Sequence, residues 1–109
     1  MDGKKKKIVN LMRLAYKAGK VSLGRTAVER SIRQGEAKII FIGTRDNSFI
    51  QKEEKIWKEK GIQIVSFFNE KELAEIFSRP KLVIVSINNL HFAEGIRRFG
   101  GEASPCFYI

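Results

Sequence analysis

Residues 20–42 read KVSLGRTAVERSIRQGEAKIIFI, a short basic helical segment running straight into an apolar strand, and this junction decides the fold class. Ser22 is an N-cap candidate and Gly24 opens the helix. Gly24, Ala27, Val28, Ser31, Ile32 and Gly35 recur at helical spacing as an apolar, small-residue face. The opposite face presents Arg25, Thr26, Glu29, Arg30, Arg33 and Gln34. Three guanidinium groups beside the free N–H groups of a helix start suit a phosphate; the plainer alternative is an amphipathic helix with a charged outer face. Residues 38–42 are a continuous apolar run closed by Gly43, which fits a central strand buried on both faces.

Upstream, Ile8, Leu11, Met12 and Ala15 fall at i, i+3, i+4 and i+7, so a first helix runs to about Ala18, where Gly19 stops it. Residues 1–7 are expected to be a mobile basic arm that adds only sequence-independent attraction to phosphates. Val21 and Leu23, alternating with Ser22, suggest a short edge strand. Downstream, Gly43, Thr44, Arg45, Asp46 and Asn47 form a polar turn. Ser48 with Gln51 gives a capping-box pattern for a third helix to about Lys60, with Phe49, Ile56 and Trp57 turned inward. A strand over 62–68 follows, and then Asn69 and Glu72 cap a fourth helix carrying Leu73, Ile76 and Phe77. Pro80 pushes Arg79 out of helical geometry, which leaves Arg79 and Lys81 as cations on a turn before a strand over 82–87. Asn88 or Asn89 caps a last helix with Leu90, Ala93, Ile96 and Phe99 on one side, ended by Gly100 and Gly101. Residues 100–109 form a tail whose Cys106, Phe107, Tyr108 and Ile109 are apolar enough to fold back or to meet a partner. Strands alternating with helices of this length predict an α/β protein, layered α/β/α, with one domain over residues 8–99. Loops at the carboxyl ends of strands gather at one edge of such sheets, and the turn at 44–47 is one of them.

The chain has 109 residues and a net charge of +9. Residues 1–35 hold ten Lys or Arg against Asp2 and Glu29, whereas the remainder holds eleven against ten acidic residues. A surface that is basic for general reasons would spread that excess; its concentration in the first third points to a polyanionic partner, nucleic acid before membrane. No apolar run approaches the ~20 residues that cross a bilayer, the start of the chain lacks the pattern of a secretory signal, and there is a single cysteine. These features lead us to expect a cytoplasmic protein without membrane association. The one histidine, His91, has no nucleophile beside it in the pattern, and neither a Walker loop nor a dinucleotide fingerprint occurs. No enzyme, cofactor, metal or small-molecule substrate is therefore expected.

The stretch LGRTAVERSIRQGEAKIIFIG, with LMRLAYKAGKVSLG before it, resembles the kink-turn RNA-binding ribosomal-protein superfamily of large-subunit proteins seven-Ae and thirty-e, in its small bacterial branch. The resemblance rests on a glycine opening a helix, a cation six residues on at Arg30, Gly35, and Ala37 with Lys38 entering the strand. It implies a three-layer α/β/α sandwich around a mixed, roughly four-stranded sheet, with RNA bound at one edge and no catalysis. The segments it assigns to that edge supply Lys20, Ser22, Gly24, Arg25, Thr26 and Arg30, then Thr44 and Arg45, then Arg79, Lys81, Leu82 and Val83. It also implies structured RNA as partner, with ribosomal RNA the expected ligand, and ribosomal or other translation proteins beside it. Family members place an asparagine and a glutamate where this chain has Thr26 and Ala27, which removes the acceptor that fixes a guanine edge. A protein-interaction module on the same fold, docking on an acidic protein, is the alternative.

Overall fold

The computed structural model describes residues 3–44 and 46–103, and the elements run α1 (Gly3–Lys17), β1 (Val21–Leu23), α2 (Arg25–Arg33), β2 (Ile39–Ile42), α3 (Ser48–Glu59), β3 (Gln63–Val65), α4 (Glu70–Ile76), β4 (Ile84–Ile87) and α5 (Leu90–Ala103). The sheet order is β1-β4-β2-β3. β2 and β3 are parallel, and β4 runs antiparallel to both β2 and β1. The expected mixed four-stranded sheet is therefore present, with β2 central and β1 at an edge.

Period-2 alternation in the strands divides the core in two. Ile39, Phe41, Val65, Val85 and Ile87 face one side, where Ile8, Val9 and Met12 of α1, Leu73 and Ile76 of α4, and Ala93 and Ile96 of α5 cover them. Ile40, Ile42, Ile64 and Ile84 face the other side, against Val28 of α2 and Ile50 and Trp57 of α3. Helices on both faces of the sheet make the three layers.

Several local expectations change once the chain is packed. α1 reaches back to Gly3, where the sequence suggested a mobile arm. Packing explains the extension: the Lys5 ammonium donates to Glu72 Oε2 at 2.7 Å and lies 5.3 Å from the ring centres of Phe67 and Phe68, and Lys7 lies over Phe99. Asn47, not Ser48, caps α3, its side chain accepting from the Ile50 N–H, while Asn69 and Glu72 form the expected capping box on α4. Asn89 caps α5 through the Phe92 N–H at 3.2 Å. That helix passes through Gly100 and Gly101 to Ala103; a glycine costs ~1 kcal/mol in a helix but does not break it. Ile56 is exposed while Trp57 is buried: the two positions point about 100° apart around α3, and it is the Trp57 direction that meets the sheet. Residues 104–109, with Cys106, lie outside the described residues.

One close approach fixes the relation between α4 and the end of β2. A Cβ on Gly43 would stand 2.9 Å from the backbone N and Cα of Glu70, so only glycine lets the two segments meet.

Candidate nucleic-acid interface

The site grows from the start of α2. Gly24 is its N-cap, with φ 84° and ψ 167°, a region open to glycine and costly for other residues. No side chain among the described residues caps this end, and the Ser22 hydroxyl, expected to do so, is engaged elsewhere. The opening N–H groups of α2 consequently remain available and carry the positive end of the helix dipole.

The segment just before β4 acts as the anchor for the loops on either side. The Gly24 N–H donates to Ile84 O at 3.0 Å, and the Gly43 N–H donates to Val83 O at 2.7 Å. Two consecutive carbonyls thus hold the β1–α2 turn and the β2–α3 turn side by side. Between them lies a depression of about 410 Å³, bordered by Gly24 and Arg25, by Asn47, Ser48, Phe49 and Ile50, and by the segment from Lys81 to Ile84. Its rim is cationic through Arg25 and Lys81, and its wall is apolar through Val83 and Ile84.

A second, more polar depression of about 210 Å³ lies on the other flank of α2, bordered by Lys20, Ser22, Arg30, Ser31, Gln34, Glu36 and Asn88 among others. Arg25 and Arg30 therefore flank α2 on opposite sides instead of sharing one face, because five residues turn a helix by about 140° beyond a full revolution. Beneath the polar depression runs a hydroxyl and amide network. Asn88 Nδ2 donates to Ser22 Oγ at 2.8 Å and to Ser31 Oγ at 3.0 Å, and Ser86 Oγ donates to Asn88 Oδ1 at 2.8 Å. Ser22 and Ser31 also bond each other, and Ser31 Oγ donates to Ala27 O. The network ties α2 to β1 and β4, so the helix that carries the cations sits on a satisfied polar base.

The structure gathers most of the residues expected at this edge and diverts two. Lys20, Gly24, Arg25, Arg30, Lys81 and Val83 border the two depressions, and Thr26 lies exposed on the first turn of α2. The half-buried Thr44 accepts from the Asp46 N–H at 3.0 Å and shapes the turn; Arg45 lies outside the described residues. Leu82 borders the depression but is 5% exposed and belongs to the core, so Val83 is the residue of that pair with surface to offer. Arg79 turns away, donating to the Tyr16 hydroxyl at 3.0 Å. The cause is the end of α4: Ser78 adopts a left-handed φ of 54°, and the N–H groups of Ser78 and Arg79 donate to Glu75 O and Ala74 O, which reverses the chain toward α1. Phe49 and Asn88 were not expected here, whereas Asn47 closes the turn at 44–47 that the sequence already assigned to this edge. Only an aromatic placed directly after a polar turn hinted at Phe49.

A sequence profile of the Ribosomal protein L7Ae/L30e/S12e/Gadd45 family matches residues 6–91. The chain belongs to this family. Within L7Ae-like proteins, it is 28% identical over 92 residues to the RNA-binding protein YlxQ of Enterococcus faecium, covering 81% of this chain and 86% of that one. Two solved structures share the fold. A protein of unknown function from Bacillus halodurans C superposes with a TM-score of 0.75 at 15% identity, covering 85% of this chain and 95% of that chain. The 15.5kD RNA binding protein of Giardia lamblia gives 0.70 at 14% identity, covering 94% and 88%. The L7Ae-type match spans every element from α1 to the start of α5 and includes both depressions flanking α2.

Proposed function

We propose that this protein binds structured RNA without catalysing a reaction, with ribosomal RNA as the ligand class and the cytoplasm as the place of action. The observation that carries the reading is the edge built around Gly24. Uncapped N–H groups, Arg25, Lys81 and an apolar wall at Val83 surround one depression, and Lys20 and Arg30 flank the same helix on its other side. Cations and backbone donors would take phosphates on both flanks of α2, while the apolar wall would receive an unstacked nucleotide. Thr26 offers one hydroxyl for a base or a 2′-hydroxyl. Family membership and the RNA-binding relative favour RNA over the protein-interaction alternative.

The test is titration of fluorescein-labelled ribosomal RNA fragments at several salt concentrations. Binding should weaken steeply with salt, and replacing Arg25 and Arg30 together with alanine should cost roughly 1–3 kcal/mol. A double variant that binds like the parent would put RNA on a different face. Crosslinking in cells followed by sequencing of the bound fragments would then name the RNA.

A further inference from the structure

Resting on the reading that the Gly24 edge binds RNA, we infer that the outward face of α1 is a second RNA-binding surface, which holds the phosphate backbone of the same RNA where it continues past the edge of the sheet. The edge around α2 leaves most of the N-terminal charge unused. Of the ten Lys and Arg in residues 1–35, six lie in α1, a helix without an acidic residue. Lys5 is tied to Glu72 and Lys7 lies over Phe99. Lys6, Arg13 and Lys17, by contrast, are exposed, and none of these three pairs with a carboxylate among the described residues. At about 100° per residue they point within about 40° of one another, and they extend for about 16 Å along the helix. Their row faces away from the sheet, since Ile8, Met12 and Ala15 occupy the opposite side of α1.

Contacts with α4 fix this face. Arg13 Nε donates to Ile76 O at 3.2 Å, and Arg79 donates to the hydroxyl of Tyr16, whose ring meets Phe77 edge to face at 5.5 Å. Each guanidinium is thus anchored through one donor and keeps its other N–H groups for a phosphate. Arg79, diverted from the α2 edge, joins the α1 row in this way. Lys20 follows three residues after Lys17 and borders the polar depression beside Arg30. Because α1 and α2 cover opposite faces of the sheet and β1 is its edge strand, positive charge runs from Lys6 through Lys17 and Lys20 to Arg30 round that edge. An RNA seated on α2 meets cations along the whole path. A row of ammonium and guanidinium groups on a helix surface takes phosphates without reading bases. The face does not suit a membrane: the apolar side of α1 is buried in the core, and Leu14 is the one large aliphatic side chain the helix exposes.

The experiment footprints the lysines of the full chain by acetylation and mass spectrometry, with and without fluorescein-labelled ribosomal RNA fragments, and titrates the same RNA at several salt concentrations. RNA should protect Lys6 and Lys17 together with Lys20, while Lys55, exposed on α3, reacts as before. The double variant Lys6→Gln/Lys17→Gln should lower the slope of log affinity against log salt by about two, and Lys6→Arg/Lys17→Arg should restore it, since only the charge matters. Protection of Lys20 with Lys6 and Lys17 still reactive, or a glutamine variant with the parent's salt slope, would overturn the second surface and leave the α2 edge intact. Protection of Lys6 and Lys17 without Lys20 would keep the α1 surface and overturn the α2 edge. No salt-dependent binding by the parent would overturn both.

Discussion

Replacing Asn88 with alanine should destabilise the protein through one stranded hydroxyl, and the effect can be worked from the network it would break. Asn88 makes three side-chain hydrogen bonds, at 2.8, 3.0 and 2.8 Å, to Ser22, Ser31 and Ser86. Ser22 and Ser31 would keep each other, and Ser31 would keep the Ala27 carbonyl. Ser86, fully buried in the middle of β4, would lose its acceptor. A buried polar group left unpaired costs roughly 1–3 kcal/mol, and the two remaining bonds add a smaller amount, so Asn88→Ala should lose about 2–4 kcal/mol. In a domain whose whole stability is of order 5–15 kcal/mol, that would lower the melting temperature by about 10 °C or more. Urea denaturation followed by circular dichroism measures the loss. The decisive comparison is with the double variant Asn88→Ala/Ser86→Ala. Removing the stranded hydroxyl should recover about 1–2 kcal/mol, since deleting both partners of a buried bond costs less than deleting one. A double variant no more stable than the single one, or an Asn88→Ala loss under about 0.5 kcal/mol, would show that Asn88 does not satisfy Ser86 in the way the geometry requires.

Two further outcomes follow from contacts of α4, with the end of β2 and with α1. Gly43→Ala would drive a methyl group to within 2.9 Å of the Glu70 backbone, and because backbone rather than a flexible side chain must move, about 1–3 kcal/mol of stability should be lost by urea denaturation. Glu72 titrates below its ordinary value of 4.5: burial raises its pKa, but the Lys5 hydrogen bond, the Asn69 N–H and the Lys5 charge together outweigh that. A carboxylate depressed in the folded state contributes stability that is present above about pH 4.5 and is lost as pH falls through its folded value. Glu72→Gln should therefore flatten the acid limb of a stability-versus-pH curve, and an unchanged limb would refute the role given to Lys5.

Local pattern carried most of the architecture. The 3.6-residue period in α1 and the capping box at Asn69 and Glu72 are short-range signals. So are the apolar runs that became β2 and β4, the second broken only by Ser86, and each survives packing because the same residues that favour the element also face the core. The glycine-started basic helix was legible for the same reason, as was its cationic character. Errors arose where two neighbouring positions compete for one role, as with Ser48 and Asn47 at the start of α3 or Ile56 and Trp57 within it.

What the sequence determined by itself was therefore the layers, the charge and the segment that opens the proposed binding edge. Tertiary structure alone decided which side chains share a depression. Gly24 and Gly43 meet at the consecutive carbonyls of Ile84 and Val83, about sixty and forty residues away, and this pairing brings Phe49 under Arg25. It also sent Arg79 back to Tyr16 through a left-handed serine. Periodicity encodes how a residue faces its own element, and it holds no record of which distant backbone atoms the sheet order will bring alongside.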